Sequence, residues 1–192
     1  MKIKNVCVYC ASSRDTKEIF KSETKKLGQL LAENGINCIC GAGDEGLMGM
    51  LSDSVLEHGG KMTGIIPQFM VERGWAHQGL QELVVVKDMH ERKQTMAERA
   101  DAFIALPGGC GTFEELLEII TWRQLGLYNK PIIILNIDGY YTPLLNMFEK
   151  AIEEKMMKAS HRNLWAVATC SDEIPALLEQ LANTHVTVER KY

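Results

Sequence analysis

The chain has 192 residues, of which 46% are hydrophobic and 24% are charged, and its formal net charge at pH 7 is −4. This composition is typical of one globular domain that buries a sizeable core without disulfides or metals. The mild negative charge argues against nucleic acid or an anionic membrane surface as the main partner.

The beginning of the chain already follows a strand pattern, and no long apolar run occurs anywhere in it. A signal peptide or a membrane-spanning helix would need such a run. We therefore expect a cytoplasmic protein without a membrane anchor, folded as a single domain over residues 1–192.

Short apolar runs alternate with amphipathic helical stretches along the chain. In order, the runs are NVCVYC, INCICG, MTGIIP, ELVVVK, AFIALP, PIIILN and WAVATC. Two clear helical stretches are KEIFKSETKKLGQLLAENG and YTPLLNMFEKAIEEKMM. This alternation predicts a Rossmann-like, doubly wound α/β fold, in which a parallel sheet carries helices on both faces. The polar C-terminal segment THVTVERKY is expected to fray or to dock on a partner.

Six cysteines raise the alternative of a metal or redox site. Cys7 and Cys10 have CxxC spacing, but Cys7 lies inside a strand pattern, and neither a second CxxC nor a His pair completes a zinc site. The cysteines are therefore expected to be small buried hydrophobic residues in a reducing compartment.

One connection, residues 68–81 with the sequence QFMVERGWAHQGLQ, is too long for a tight turn. Long ordered loops in compact domains are often lids or binding loops. The alternative is a packed surface loop with Trp75 as its anchor.

Three predicted strand ends carry unusual sequences: ASS, which contains Ser12, then GAGDEGLMGM, and then PGGCGT. Ligands of doubly wound sheets bind at the carboxyl ends of the strands, where glycines and helix N-termini present backbone N–H groups to an anion. Residues 41–46, GAGDEG, match GxGxxG but follow the second strand rather than the first, and no Gly-Lys-Ser/Thr is present. The pattern predicts a cradle for a mononucleotide phosphate rather than for NAD or ATP.

Two adjacent acids, Glu114 and Glu115, follow the third glycine loop. One interpretation is a capping box, in which Thr112 caps the helix and Glu115 reaches back to the Thr112 backbone. The other follows from helical spacing, because Glu115, Glu118 and Trp122 form a stripe separate from the apolar face. In that case the acids face the same crevice as the glycine loop.

A basic pair, Arg92 and Lys93, lies in the first turns of a predicted helix within DMHERKQTM, residues 88–96. Cations gain nothing from the helix dipole at this end. The pair is therefore either a solvated basic face, with His90 as a cap or a surface residue, or a site for an anionic ligand.

Taken together, these segments resemble one family. PGGCGTFEE is similar to the PGGxGTxxE motif, and MHERK to the M-H-x-R-K pattern, of the LOG (Lonely Guy) cytokinin-activating enzymes. GLMG, GIIP, ITWRQLGLYNKP and GYY are also similar to segments of that family, so the resemblance runs from about Val6 to about Lys155. It implies a Rossmann-like homodimer that hydrolyses the N-glycosidic bond of cytokinin riboside 5′-monophosphates, and often of AMP, to free base and ribose 5-phosphate.

The resemblance also implies roles for individual residues, with Arg92 and Glu115 as the catalytic pair. The implied substrate-binding residues are Ser12, Lys93, Gly108, Gly109, Gly111, Thr112, Glu114 and Thr121. Because glycoside cleavage passes through an oxocarbenium-like state, Glu115, with Glu114 in second place, is expected to stabilise that charge or to orient the attacking water. Arg92 stays protonated and is expected to act electrostatically. This chemistry requires no metal, and we predict neither a metal nor a cofactor.

The chain departs from the family pattern where Ala11 replaces a glycine and where Cys40-Gly41-Ala42-Gly43 replaces Tyr-Gly-Gly-Gly. The extra Cβ at Ala42 is expected to narrow the approach to the ligand. Two rival functions share the same cradle. One is a non-catalytic nucleotide-binding module, which would leave AMP intact, and the other is a phosphoribosyl-type transferase, which would need a second acceptor.

Overall fold

The computed structural model describes residues 2–182 of the chain, and within them the predicted strands form one sheet. The strands are β1 (Asn5–Tyr9), β2 (Asn37–Cys40), β3 (Met62–Pro67), β4 (Glu82–Val86), β5 (Ala102–Ala105), β6 (Ile132–Leu135) and β7 (Ala166–Ala168). Their order is β4-β3-β2-β1-β5-β6-β7, and every neighbouring pair is parallel. Each apolar run noted in the sequence contains one of these strands, so the predicted Rossmann-like α/β fold is confirmed.

Helices connect the strands as the amphipathic stretches predicted. They are α1 (Glu18–Glu33), α2 (Gly46–Glu57), α3 (Gln68–Glu72), α4 (Met89–Arg99), α5 (Cys110–Gln124), α6 (Thr142–Glu153) and α7 (Ile174–Ala182). Short 3-10 helices cover Ile137–Gly139, Ala159–Leu164 and Ser171–Glu173. The C-terminal segment THVTVERKY, for which fraying or docking was expected, lies outside the described residues.

The core has two main layers, one on each side of the sheet, and β1 contributes to both. Val6 and Val8 point into the layer formed with helices α1, α2 and α7. Cys7 and Tyr9 point into the layer formed with helices α4, α5 and α6. Alternate residues of a strand face opposite sides of a sheet, so β1 buries consecutive side chains from Val6 to Tyr9 on its two faces.

At one edge of the sheet, the helices leave some strand side chains exposed. Strand β4 forms that edge, and its side chains Leu83 and Val85 are 40% and 45% exposed. The sheet is therefore fully covered only in its centre. Within residues 2–182 no helix is both long and apolar enough to cross a membrane.

The cysteines follow the prediction only in part. Cys7, Cys10, Cys38 and Cys40 are free and buried, and burial raises the pKa of each thiol. The expectation is wrong for Cys110, which is exposed at the start of α5, and for Cys170, which is half-buried. In the described part of the chain no group of three or more His, Cys, Asp or Glu residues is arranged to hold a metal ion.

Candidate active site

A cleft of about 630 Å³ opens at the carboxyl ends of β1, β2 and β5. Strand β1 has β2 on one side and β5 on the other, so the chain leaves β1 at the point where the strand order reverses. This is where doubly wound sheets bind ligands. The predicted site residues that line the cleft are Ser12, Arg92, Gly109, Gly111, Thr112, Glu114 and Glu115. Lys93, Gly108 and Thr121 are not part of its lining.

The glycine loop after β5 leads directly into helix α5. Gly109 is the N-cap, and the helix begins at Cys110 without a side-chain cap. The capping-box interpretation is therefore wrong, because Thr112 already lies inside the helix and is buried. With no side chain capping them, the first N–H groups of α5 are free to bind an anion in the cleft.

The three glycines of this loop are needed for different reasons. A Cβ added to Gly109 or to Gly111 would meet no heavy atom within 4 Å. Both positions therefore border open space that a ligand can fill. A Cβ on Gly108 would instead overlap the Thr112 side chain, so Gly108 is glycine because of packing beneath the loop.

Two tyrosines hold the same loop in place. The Tyr140 hydroxyl donates a hydrogen bond of 2.5 Å to the Gly108 carbonyl, and the Tyr141 hydroxyl donates one of 2.7 Å to the Leu106 carbonyl. Neither tyrosine was among the predicted site residues. The only signal in the sequence was the GYY segment, and nothing in its spacing points to the glycine loop.

Glu115 lies on the first turns of α5, and its side chain is only 12% exposed. Burial raises the pKa of Glu115 to about 7, and the nearby Arg92 guanidinium opposes this shift. The Arg92 Nη2 atom lies 3.7 Å from Glu115 Oε1. A carboxyl with a pKa near neutrality can both hold and release a proton under ordinary conditions.

Arg92 is buried, with 6% of its surface exposed, so the interpretation of a solvated basic face is wrong. A Cβ at Gly41 would overlap its guanidinium. The glycine after β2 therefore makes room for an arginine that comes from α4. The Arg92 Nε atom is buried and has no hydrogen-bond partner among the described residues.

Lys93 is also buried, but it is not part of the cleft lining. Its ammonium group donates hydrogen bonds to Glu114 and, over 3.1 Å, to Glu118. Burial alone would lower the Lys93 pKa, yet these two carboxylates raise it. The lysine thus ties α4 to α5 and holds Glu114 from behind.

Two further sequence interpretations concern α4 and the far end of α5. His90 is exposed and does not cap α4, because the Asp88 side chain accepts hydrogen bonds from the backbone of His90 and Glu91, both of 3.0 Å. Thr121 is exposed, and its hydroxyl donates to the Leu117 carbonyl over 2.8 Å. A role for Thr121 in substrate binding stays a prediction from the resemblance.

Ala42 does not narrow the cleft, so that expectation is wrong. It is fully buried, and a Cβ placed on Gly64 in β3 would come within 2.5 Å of its methyl group. The methyl group therefore packs toward β3, among Ile66 and Ala76. Ala42 adopts φ 61°, a left-handed conformation that costs a residue with a side chain about 1 kcal/mol.

Residues 68–81 form more than a loop, since they begin with the short helix α3. Ala76 is buried and pairs with Gly43, and the His77 side chain contacts Asp53 over 2.9 Å. Trp75 was the expected anchor in the surface-loop interpretation. It is instead 45% exposed and lines the cleft.

The sequence analysis did not name the remaining residues of the cleft individually as site residues. They are Cys10, Ala11, Ser13, Gly41, Gly43, Asp44, Glu45, Met48, Met70, Trp75, Met89 and Cys110. Many of them lie in the three strand-end segments already singled out. Met48 belongs to one of these segments, whereas Met70 and Met89 come from α3 and α4. An apolar residue in a helix gives no signal that separates a cleft wall from a core.

Comparison with known proteins gives a consistent set of relatives. Residues 48–178 match a family model described as possible lysine decarboxylase. The chain is 44% identical over 180 residues to the probable cytokinin riboside 5′-monophosphate phosphoribohydrolase LOG4 of Oryza sativa subsp. japonica, covering 94% of this chain and 78% of that protein. It is 42% identical over 190 residues to the cytokinin riboside 5′-monophosphate phosphoribohydrolase LOG3 of Arabidopsis thaliana, covering 99% and 88%.

Among solved structures, the molybdenum cofactor binding protein of Rippkaea orientalis superposes with a TM-score of 0.72. That alignment covers 95% of this chain and 99% of the other, at 20% sequence identity. At this identity the similarity concerns the fold alone.

Proposed function

The chain belongs to the LOG family of cytokinin riboside 5′-monophosphate phosphoribohydrolases, and from this we propose that it hydrolyses the N-glycosidic bond of nucleoside 5′-monophosphates. The substrate is a cytokinin riboside 5′-monophosphate or AMP, and the products are free base and ribose 5-phosphate. The observation that carries the proposal is a buried carboxyl, Glu115, on the first turns of a helix whose N-terminal glycine loop borders open space in the same cleft.

We assign binding of the substrate phosphate to the N-terminus of helix α5. Gly109 and Gly111 leave room for it, and the backbone N–H groups of the first turn of α5 would donate to its oxygens. Lys93 is held by two carboxylates behind the site. We therefore assign the phosphate to the backbone of α5 and treat Lys93 as a residue that positions Glu114.

We assign cleavage of the glycosidic bond to Glu115. As the bond from C1′ of ribose to the base breaks, its electron pair leaves with the base nitrogen and positive charge develops on the sugar. A water oxygen bonds to C1′, and the ionised Glu115 carboxylate accepts the proton that this water loses. The departing base takes up a proton in turn. A carboxyl with a pKa of about 7 suits such a proton transfer near neutral pH.

Arg92 supplies charge rather than a proton. A guanidinium does not deprotonate in proteins, so it cannot act as the general acid. Its Nη2 atom lies 3.7 Å from the Glu115 carboxylate, in a site from which water is largely excluded. We propose that Arg92 keeps Glu115 ionised during the reaction and orients it toward the sugar.

A lysine decarboxylase activity, which the description of the family model mentions, does not suit this cleft. Decarboxylation of amino acids on pyridoxal phosphate uses a lysine that forms a Schiff base with the cofactor. No lysine lines the cleft in the described part of the chain. Lys93, which is close in sequence to the site, is held by Glu114 and Glu118. The residues present therefore do not fit that cofactor.

One assay separates the hydrolase from the two rival functions. Purified protein is incubated with a panel of nucleoside monophosphates, and ribose 5-phosphate and free base are both quantified. Equal release of the two products, without any added acceptor, is expected for the hydrolase. A binding module would retain AMP unchanged, and a transferase would release base only when an acceptor is supplied.

We also propose that the chain acts as a cytoplasmic, single-domain homodimer whose partner molecule is a nucleotide and not a nucleic acid. Leu125 and Leu127, at the end of α5, are 50% and 63% exposed, which supports a contact there. Static light scattering at micromolar concentration should give twice the chain mass of 21.5 kDa. A mass of one chain under these conditions would contradict the homodimer.

A further inference from the structure

The cleft continues beyond the catalytic pair, and Arg92 marks the boundary. Its Nη2 atom faces Glu115 at 3.7 Å, whereas its Nη1 atom lies 3.8 Å from the Met70 sulfur and 3.7 Å from the Met89 sulfur. Going from the glycine loop past Glu115 and Arg92, the wall of the cleft therefore changes from polar groups to thioethers. Met48 also lines the cleft, and its sulfur accepts a hydrogen bond of 3.0 Å from the Gly43 N–H.

Trp75 lies at the methionine end. Its backbone N–H donates to the Met70 carbonyl over 3.1 Å, which places it directly after helix α3. The Arg73 guanidinium lies 5.1 Å from the centre of the Trp75 ring and covers part of it. Trp75 is still 45% exposed and lines the cleft. A large aromatic side chain that remains exposed in a cleft offers an apolar surface on which a ligand can pack.

The backbone that carries Trp75 is fixed to the rest of the site. The next residue, Ala76, forms a bridge with Gly43, and the His77 N–H donates to the Ala42 carbonyl over 2.9 Å. The His77 ring contacts Asp53 of α2 over 2.9 Å. The backbone of Trp75 is thus fixed relative to the end of β2 before any ligand arrives, so that little backbone order is lost when a ligand binds.

From this arrangement we infer that Trp75 stacks on the nucleobase of the substrate and is the residue that sets selectivity for an aromatic base. The inference rests on the proposed function, in which the phosphate lies at Gly109 and Gly111 and the ribose lies beside Glu115. The base then extends past Arg92 into the methionine-lined end. Purine rings and their apolar substituents match thioether and indole surfaces.

Removal of a stacking aromatic weakens binding of a base by about tenfold to a hundredfold. The effect should appear only with ligands that carry a base. Ribose 5-phosphate occupies the phosphate and sugar positions alone, so its affinity should not depend on Trp75. In steady-state kinetics Trp75→Ala should raise KM for AMP much more than it lowers kcat, because the group acts on binding.

The test uses fluorescence and calorimetry on the full chain with Glu115→Gln, so that AMP is bound and not consumed. Addition of AMP is expected to quench tryptophan emission, and addition of ribose 5-phosphate is not. Trp75→Phe should remove the quenching. Trp122→Phe is the matched control and should retain it, because Trp122 packs against Tyr128 and is not part of the cleft lining. Calorimetry with Trp75→Ala should show the loss of AMP affinity and an unchanged affinity for ribose 5-phosphate.

Two results would overturn the inference: an unchanged AMP affinity in Trp75→Ala, or equal losses for AMP and ribose 5-phosphate in a variant with a normal circular dichroism spectrum. The proposed function fails separately. Quenching by AMP that depends on Trp75, combined with no release of ribose 5-phosphate by the unmodified protein, would support the stacking and contradict the hydrolase.

Discussion

At one end of the cleft the wall is largely backbone, at Gly109 and Gly111, and at the other end it is side chain, at Met70 and Trp75. The first end presents N–H groups whose positions are set by the start of helix α5 and by the hydroxyl of Tyr140. The second presents sulfur and indole, carried by a short helix and the segment after it. Glu115 and Arg92, which we propose as the catalytic pair, lie between them.

The difference suggests separate roles for the two ends of the cleft, one in binding phosphate and one in distinguishing bases. Backbone N–H groups at a helix start read charge and little else, so the glycine end suits any substrate with a terminal phosphate. Apolar side chains read shape and surface, so the methionine end is where substrates with different bases are distinguished. A change at the first end should therefore affect all nucleotides alike, and a change at the second should depend on the base.

The largest expected effect comes from removing the phosphate. Adenosine should be cleaved about a thousandfold more slowly than AMP at equal subsaturating concentration, since several charge-assisted contacts vanish together and no longer position the ribose against Glu115. Adenine release from the two substrates, measured side by side, tests this. Similar rates would mean that the glycine loop does not recognise phosphate.

Next come the two charged residues between the ends. Glu115→Gln and Arg92→Ala should each lower kcat for AMP by at least about a hundredfold, because each removes a charge that faces the developing transition state. Glu114→Gln is the matched control and should lose less, since Glu114 is paired with Lys93 at the edge of the cleft. Activity close to normal in a folded Glu115→Gln or Arg92→Ala protein would remove that residue from the catalytic set.

The fold of the glutamine variant can be checked through its stability. Burial raises the pKa of Glu115 to about 7, so the folded state binds its proton more tightly than the unfolded state does. The ionised carboxylate therefore destabilises the fold increasingly as pH rises from about 4.5 to 7, by up to about 3 kcal/mol. Glu115→Gln should melt at a higher temperature than the unmodified protein at pH 8, and this gain should vanish near pH 4.

The pH dependence of kcat/KM for AMP should reflect the ionisation of the same Glu115 carboxyl, and the change in rate should be smaller than in the variants above. Because Glu115 must be ionised to accept the proton of water, kcat/KM for AMP should fall about tenfold per pH unit below its pKa of about 7. The second ionisation of the substrate phosphate, near pH 6, adds to the decline only at lower pH. In Glu114→Gln, kcat/KM should fall over the same pH range as in the unmodified protein. A rate that rises as pH falls from 8 to 6 would assign Glu115 as the acid instead.

The smallest effect is expected from Tyr140, which lies outside the cleft and stabilises the glycine loop after β5. Tyr140→Phe removes the hydroxyl that donates to the Gly108 carbonyl, and we expect KM for AMP to rise by about threefold to tenfold, because the loop is less well held. Since this change acts on the phosphate end, KM for nucleotides with other bases should rise by the same factor. A rise confined to one base would contradict the division between the two ends.

Much of the fold follows from local signals in the sequence. Apolar runs between amphipathic stretches predict strands between helices, and each run became a strand because a central parallel sheet is buried on both faces. The exposed side chains of β4 could not be foreseen in the same way, since ELVVVK is as apolar as a central strand although it lies at the edge. The position of a strand within the sheet depends on the whole chain, so the sequence of a single apolar run does not show whether its strand lies at the centre or at the edge.

The site was predictable where a motif fixes its own geometry and not where distant segments meet. PGGCGT leads into a helix by its own backbone preferences, so its role in the cleft could be inferred. That Gly41 makes room for Arg92, or that Tyr140 supports Gly108, depends on contacts between segments far apart in sequence. The capping-box interpretation put the N-cap of α5 three positions too late, at Thr112 instead of Gly109, because Thr-x-x-Glu at residues 112–115 satisfies the capping pattern inside a helix that starts at Cys110.

The cleft takes its walls from the segments that follow β1, β2, β3 and β5 and from α4 and α5, so that a bound nucleotide bridges both halves of the sheet. Such a ligand has no binding site in a chain whose halves have separated. Its binding energy is therefore added in full to the stability of the whole domain, by about 2.7 kcal/mol at a hundred times the dissociation constant. For a chain of this length that corresponds to a rise of about 5–10 °C in the melting temperature, which makes thermal unfolding a way to rank candidate nucleotides before any product is measured.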